Sequence, residues 1–179
     1  MQGSIRFFGF VMLISIMAIA AAAQEKTIYT KNGLTFEYLK GWKVIEKAGT
    51  ESDEIALSNA ESDSQVTVIV LRKPMESKDP AEARKRVVDP WLTSLQDLYQ
   101  RIAMIKIDRV ETKTMVAGQT VDSVDLLFEL DRQKGKVEAC WALFEKRLVL
   151  LYMVRPDRTA EKAEAGWQAI RESIRLEKK

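Results

Sequence analysis

"VEACWALFEKRLVLLYMV", residues 137–154, decides how this chain folds, because its apolar length admits either a membrane span or two buried strands. Three consecutive charged residues, Glu145 to Arg147, interrupt the stretch. A membrane-crossing helix would place them near the bilayer centre, at about 2.5–3.5 kcal/mol for each Lys or Arg there. The stretch therefore predicts two neighbouring strands joined by a charged turn. Because "LVLLYMV" is apolar on both faces, we expect the second strand to lie in the middle of a sheet.

Strand patterns also occur in the first part of the chain and again after Ile105. Near the start, Asn32-Gly33 is a strong signal for a two-residue hairpin turn, and the alternating segment "LTFEYL" follows it. The segment "QVTVIVLRK" is rich in β-branched residues and apolar on both faces, so we expect it to be covered on both. After Ile105, short turns separate four strand candidates. Connections this short join antiparallel strands.

Between these strands the pattern changes to helical spacing. Asp79 and Pro80 predict the start of a helix. Asp79 can cap the first turn, and proline suits the first helical position because an N–H there would have no acceptor within the helix. Pro90 would clash with the carbonyl four positions earlier in a continuous helix. We therefore expect a short helix over 80–88 and a second helix, or a sharp kink, over 90–103.

Both helical regions of the chain carry an apolar face. In the second central segment it comprises Trp91, Leu95, Leu98 and Ile102. A last helix is predicted over 159–176, with an apolar stripe of Ala163, Trp167, Ile170 and Ile174. The order strands, helix, strands, helix predicts an α+β fold. We expect a three-layer α/β/α sandwich with one central antiparallel sheet and helices on both faces.

The first residues have the pattern of a secretory signal peptide over 1–23. Arg6 precedes an apolar run, and Ala21 and Ala23 give an A-x-A cleavage site. We expect cleavage after Ala23, which leaves 24–179 as a single domain in the periplasm or outside the cell, without a membrane span. The alternative is an uncleaved anchor, although the apolar run is short for a span of about 20 residues.

Charge and composition exclude several classes of function. The formal net charge is +2 and falls by one unit without the signal peptide, which gives no electrostatic basis for binding nucleic acid. The chain has no histidine and one cysteine, so neither an intramolecular disulfide, a Cys–His pair nor a serine triad can form. We expect Cys140 to be packed in the core. We also expect no catalytic residues, no cofactor, no metal, and a monomer.

Acidic residues cluster in two predicted loops. Glu51, Asp53 and Glu54 lie in one loop, and Glu61 and Asp63 lie in the next. Acidic loops can bind calcium, but this spacing does not fit an EF-hand and lacks its central glycine. We interpret both as solvated loops.

A basic run, Arg84, Lys85 and Arg86, falls on the first short helix. Such a run is usually a solvated face, and the sharper hypothesis is a docking surface for an acidic partner. Trp91 follows the proline and is either an exposed interface anchor or, on its helical spacing, a core residue. These four residues are the predicted partner-binding site.

Three segments of the chain resemble the PsbP-like fold: "LTFEYLKGW" (34–42), "AGQTVDSVDLLFEL" (117–130) and "GWQAIRESI" (166–174). That family includes the photosystem II protein PsbP, the Ran-binding Mog protein and bacterial exported proteins of the DcrB type. The resemblance implies a binding or assembly role, because family members mostly dock on larger assemblies or bind partner proteins.

Two hypotheses about function remain open. The preferred hypothesis is an exported, non-enzymatic protein that binds a protein partner, so far unidentified, or supports assembly of the envelope. The alternative is a small-ligand or metal-binding carrier, or an enzyme, that uses a pocket between sheet and helices.

Overall fold

The computed structural model describes residues 25–103, 107–130 and 132–177. The predicted signal peptide over 1–23 and its cleavage site after Ala23 lie outside the described residues. The strands of the described part are β1 (Lys26–Lys31), β2 (Leu34–Leu39), β3 (Lys43–Ala48), β4 (Ser52–Asn59), β5 (Ser64–Leu71), β6 (Asp108–Val116), β7 (Gln119–Leu130), β8 (Gln133–Phe144), β9 (Arg147–Pro156) and β10 (Arg175–Leu176). The α-helices are α1 (Pro80–Ala83), α2 (Asp89–Ala103) and α3 (Ala160–Ser173).

The strands form two antiparallel sheets. The larger has seven strands in the order β3-β4-β5-β9-β8-β7-β6, and the smaller has three in the order β1-β2-β10. The α+β class and the large antiparallel sheet are therefore confirmed. The expectation of one single sheet is wrong, because the N-terminal hairpin pairs with the two-residue strand β10 and not with the larger sheet. A segment as short as β10 has no sequence pattern that predicts this pairing.

The 137–154 stretch forms β8 and β9, which pair in antiparallel register from Phe144↔Arg147 to Val137↔Val154. The two residues of the charged turn lie between them, and Glu145 adopts a positive φ of 58°. Strand β9 is the fourth of seven strands, so its predicted central position is confirmed. Among the helices of the described residues, none is long and apolar enough to cross a membrane.

The N-terminal hairpin forms as predicted. Its last pair of strand residues is Lys31↔Leu34, which leaves Asn32 and Gly33 as the two turn residues. Their φ angles are 53° and 80°, the left-handed values that a tight two-residue turn requires. The turn contacts the C-terminal strand, since the backbone N–H of Glu177 donates to the carbonyl of Gly33 at 2.8 Å.

The central helical region differs from the predicted pair of separate helices. Helix α1 begins as expected, with the side chain of Asp79 accepting from the N–H of Ala81. A π-helical segment, Arg84–Val88, then leads into α2 without a break. The N–H of Asp89 bonds the carbonyl of Arg84, five residues earlier. This wider turn ends directly before Pro90, which has no N–H to donate, so the helix accommodates the proline ring.

Two core clusters lie on alternate sides of the strands. One contains Cys140 and Ala142 of β8, together with the side chains of α3 and the small sheet. The other contains Ala139 and Trp141 of β8, together with side chains of α2. Strand alternation produces this division, because successive side chains of a strand point to opposite faces. The predicted three-layer arrangement stays a prediction and is taken up below.

The helical faces agree with the sequence in most positions. Trp167 on α3 is buried, as predicted, and Trp42 and Trp141 are buried as well. Leu98 is 46% exposed, so its assignment to the core is wrong. Leu92 is fully buried and takes that role together with Leu95. Helix α3 ends at Ser173, earlier than predicted, where the chain turns into β10.

Candidate binding cleft at the end of the large sheet

An open cleft of about 810 Å³ lies where β5 ends, β9 begins and the hairpin turn approaches. Its walls come from the β1–β2 turn, the start of β4, the loop after β5, the β8–β9 turn and the C-terminal strand. Its lining residues are Asn32, Asp53, Arg72, Pro74, Lys78, Gln119, Leu143, Phe144, Glu145, Lys146, Arg147, Leu176 and Glu177. We call this space the outer cleft. Its volume lies in the range of sites that hold drug-sized ligands.

Backbone hydrogen bonds hold the walls of the outer cleft together. The N–H of Met75 donates to the carbonyl of Lys146 at 2.6 Å, which ties the loop after β5 to the β8–β9 turn. The N–H of Arg72 donates to the carbonyl of Glu51 at 2.9 Å. The loop after β5 is therefore anchored at two points, which fixes the distance between the opposing walls.

A smaller pocket of about 90 Å³ continues from the outer cleft. We call it the inner pocket. Asn32, Asp53, Arg72 and Arg147 line both spaces, so they mark the passage between them. The apolar side chains of the inner pocket include the buried residues Leu34, Ile55 and Val70.

Arg147 lies at this passage and carries an unsatisfied donor. Its Nη1 atom is buried and has no hydrogen-bond partner among the described residues. The neighbouring Arg72 binds Asp53 through Nη2 at 2.6 Å. A guanidinium has five N–H donors and keeps its charge, so a buried donor without a partner is costly.

The carboxylates beside the passage are already engaged. The hydrogen bonds from Arg72 hold the pKa of Asp53 below its usual 3.8. The hydrogen bonds from Lys31 and then Tyr29 lower the pKa of Glu46 below its usual 4.5. Burial, followed by the hydrogen bond to Glu46, raises the pKa of Tyr29. Both carboxylates are thus ionised at neutral pH and the phenol is protonated, so none of the three is poised to exchange a proton there.

The structure places Arg84 of the predicted partner-binding run in an intramolecular ion cluster. Its guanidinium contacts Glu111 at 2.9 Å, and Asp89 and Asp122 at 3.5 Å each. It also lies over the ring of Trp141 at 5.6 Å from the centroid. A partner carboxylate at Arg84 would have to compete with three carboxylates of the chain itself.

The other members of the predicted site are less tightly held. Arg86 contacts Glu76 at 2.6 Å, with both side chains largely exposed. Lys85 is exposed. Trp91 is half-buried, packs against the core and lies 6.0 Å from the ring of Tyr152. The run and the tryptophan belong to the central helical region and line neither the outer cleft nor the inner pocket.

Cys140 is fully buried among apolar side chains, as the sequence predicts. Burial raises the pKa of its thiol far above the usual 9.0, so the thiol stays protonated. The prediction of a solvated loop is wrong for Asp53 and Glu54, which lie in β4, where Asp53 is paired with Arg72. Within the described ranges, no group of three or more His, Cys, Asp or Glu residues is placed to hold a metal ion.

Sequence reasoning missed the residues that meet at the passage. Arg147 was assigned only to a charged turn, and Asp53 only to a solvated loop. Asn32, Asp53, Arg72 and Arg147 come from four separate segments that the sheet order brings together. The only signal in the sequence was indirect. Arg147 directly precedes the apolar run of a predicted central strand, and a residue in that position lies close to the core.

No protein-family model and no curated protein sequence matches the chain. Solved structures do. The solution structure of cyanobacterial PsbP (CyanoP) from Synechocystis sp. PCC 6803 is 13% identical, with 92% of this chain and 99% of that chain covered and a TM-score of 0.59. LpqN, involved in cell envelope biogenesis of Mycobacterium tuberculosis, is 9% identical, with 87% and 92% covered and a TM-score of 0.53. The Ran-binding protein Mog1p of Saccharomyces cerevisiae is 10% identical, with 86% and 96% covered and a TM-score of 0.51. At these identities the likeness concerns the fold.

Proposed function

Because the chain has the PsbP-like fold, we propose that it is an exported, non-enzymatic protein that binds a partner protein or supports an envelope assembly. The observation that carries the proposal is the outer cleft, with the cationic side chain of Arg147 at the passage to the inner pocket. Two neighbours in the fold support the class of function. One is described as Ran-binding, and the other as involved in cell envelope biogenesis.

The proposed export rests on the N-terminal sequence. Residues 1–23 act as a signal peptide that is removed after Ala23, and 24–179 form one domain in the periplasm or outside the cell. The intact mass of the product recovered from the envelope tests this proposal. A mass that begins at Gln24 supports cleavage, whereas a full-length mass supports the retained anchor.

The proposed domain is a three-layer sandwich with the large sheet in the middle. Its support is the division of the core, in which α3 contributes Trp167 to one cluster and α2 contributes Leu92 to the other. This arrangement leaves the ends of the strands uncovered by helices. The outer cleft lies at such an end, where a partner reaches it without displacing a helix.

Binding is favoured over catalysis by the chemistry of the cleft. Asp53 and Glu46 are ionised and hydrogen-bonded to cations, and neither is a poised general acid. The chain contains no histidine that would act as a base. The cleft is thus a charged, partly apolar surface that is suited to holding a ligand.

The basic run and Trp91 stay a second proposed docking surface, for an acidic partner. Lys85 is exposed and Arg86 is held by a largely exposed pair, which solvent screens and a partner carboxylate can exchange. Arg84 is the least available of the three, because it contacts three carboxylates of the chain itself. Reversal of Lys85 and Arg86 is therefore the matched comparison for substitutions in the cleft.

The inner pocket favours one alternative, a carrier of a small ligand. A pocket of about 90 Å³ with buried apolar walls and a cation at its mouth suits a small amphipathic molecule. A metal-binding carrier or an enzyme has no comparable observation in its favour among the described residues.

Photo-crosslinking in living cells tests the proposal. A photoreactive amino acid replaces the exposed Lys146 at the cleft, and in a second variant the exposed Lys134 at the other end of β8, roughly 30 Å away at about 3.3 Å per strand residue. We expect one envelope protein to be crosslinked from position 146 and not from 134. Equal crosslinking from both positions, or from neither, contradicts binding at the cleft.

A further inference from the structure

We propose that the cleft receives the free C-terminus of a partner polypeptide, with the terminal carboxylate on Arg147 and a small aliphatic last side chain in the inner pocket. This inference rests on the proposed function and names the part of the partner that is recognised. The observations are the position of the Arg147 side chain at the passage, the size of the inner pocket and the size of the outer cleft.

The guanidinium selects the charged group. A carboxylate accepts two parallel N–H bonds from an arginine, and such charge-assisted pairs are among the strongest hydrogen bonds in proteins. Arg147 lines both the outer cleft and the inner pocket, so it is a cation within reach of a carboxylate bound at the passage. Arg72 is less suited to this role, because Asp53 already occupies it.

The inner pocket selects the side chain. Apolar cavities of about 150 Å³ take a benzene ring. The inner pocket is smaller, at about 90 Å³, and its buried walls are Leu34, Ile55 and Val70. It therefore accommodates a branched aliphatic group of valine size and excludes an aromatic side chain. Arg147 lines the same pocket, so the carboxylate and the side chain of one residue reach their sites together.

The outer cleft favours a polypeptide over a free acid. A short-chain acid would fill the inner pocket and leave the 810 Å³ outer cleft empty. Several residues preceding a C-terminus fit there, against the apolar side chains of Leu143, Phe144 and Leu176. The rim carries both signs of charge, since Glu145 and Glu177 line the cleft together with Lys78 and Lys146, so it suits an uncharged polar segment.

Titration of the purified, exported chain with acetylated Gly-Ser hexapeptides tests the inference, followed by amide chemical shifts or calorimetry. The probes end in valine with a free carboxylate, in valine amide, or in phenylalanine with a free carboxylate. 3-Methylbutanoate, the matching free acid, is a fourth probe. We expect the free valine peptide to bind, its amide to bind at least tenfold more weakly, and the phenylalanine peptide at least fivefold more weakly.

Two variants separate recognition from folding. Arg147→Gln removes the charge and should weaken the valine peptide at least tenfold. Val70→Ile adds one methylene to the wall of the inner pocket and should weaken the valine peptide while sparing a glycine-ended peptide. Urea unfolding shows whether each variant is folded. If Arg147→Gln does not fold, Val70→Ile still tests the inference.

The outcomes distinguish the inference from the function on which it rests. Equal binding of the acid and amide peptides overturns the carboxylate site. Binding of 3-methylbutanoate as tight as that of the peptide overturns the polypeptide and supports the small-ligand carrier. If no peptide binds but position 146 still crosslinks a partner in cells, the C-terminal inference fails and the proposed function stands.

Discussion

Gly166 of α3 packs directly against the ring of Trp42, and substitution by alanine tests how tightly this core is built. A Cβ atom at Gly166 would lie 2.4 Å from Cζ2 of Trp42 and 2.8 Å from its Cε2. Carbon atoms in contact lie about 3.5–4.0 Å apart, so helix or ring must move by about 1 Å. Trp42 is 6% exposed and its ring is rigid, which leaves little room for that movement.

Two opposing effects set the magnitude for Gly166→Ala. Alanine gains about 1 kcal/mol of helix propensity over glycine. Overpacking a well-filled core costs about 1–3 kcal/mol, and contact with a rigid buried ring belongs in the upper part of that range. We expect a net loss of about 1–2 kcal/mol in the free energy of unfolding. For a domain of this size that is a fall of about 2–8 °C in Tm.

Urea unfolding followed by far-UV circular dichroism measures this change. Ala165→Gly, at the exposed neighbouring position, calibrates helix propensity within α3 and should cost about 1 kcal/mol. In a Trp42→Leu background the clash is absent, so Gly166→Ala should there become neutral or stabilising. If Gly166→Ala stabilises the chain with Trp42 in place, the close packing of α3 on Trp42 is refuted.

Other predictions follow from buried polar groups and from the cysteine. Burial would raise the pKa of Glu138, but the 2.6 Å hydrogen bond from Trp167 and the charge of Lys136 outweigh it and lower that pKa below its usual 4.5. A carboxyl whose pKa is lowered by folding stabilises the folded state above about pH 4.5, and this stability is lost as the pH falls. Urea midpoints measured between pH 7 and pH 3 should therefore fall more steeply for the wild type than for Glu138→Gln. Parallel slopes for the two proteins would contradict this. Trp167→Phe leaves Oε1 of Glu138 without its indole donor, while Lys136 still contacts Oε2, and should cost about 1–3 kcal/mol at pH 7. The same variant should cost less when combined with Glu138→Gln, and strict additivity would argue against the hydrogen bond. Cys140 should resist iodoacetamide at pH 8 in the native protein and react fully in urea, as intact mass will report; rapid native labelling would refute its burial.

The sequence was most informative where a local pattern is reinforced by burial. Strands β5 and β9 are apolar on both faces, and both lie inside the large sheet. The Asn32-Gly33 turn was predictable because few residues accept positive φ at both turn positions. Cys140 was predictable as a core residue because the chain offers no histidine to activate it.

What the sequence left undetermined depends on contacts between distant segments. Strand β10 is two residues long and exists because β2 offers it a partner. Leu92 and Leu98 both lie three residues from Leu95, so helical spacing alone did not decide that Leu92 is buried and Leu98 is exposed. The cleft is an extreme case, since Arg72 and Arg147 are far apart in sequence and meet only because β5 and β9 pair. Such a site has no motif.

The most direct test of the account is a comparison of two variants in partner recovery. The tagged, exported chain is crosslinked through position 146, and the yield of the crosslinked partner is compared for Arg147→Gln and for reversal of the exposed Lys85 and Arg86 to glutamate. We expect Arg147→Gln to reduce the yield at least tenfold, and the double reversal to leave it within about twofold. A yield that survives Arg147→Gln and is lost in the double reversal would contradict the cleft as the binding site and place recognition on the central helical region.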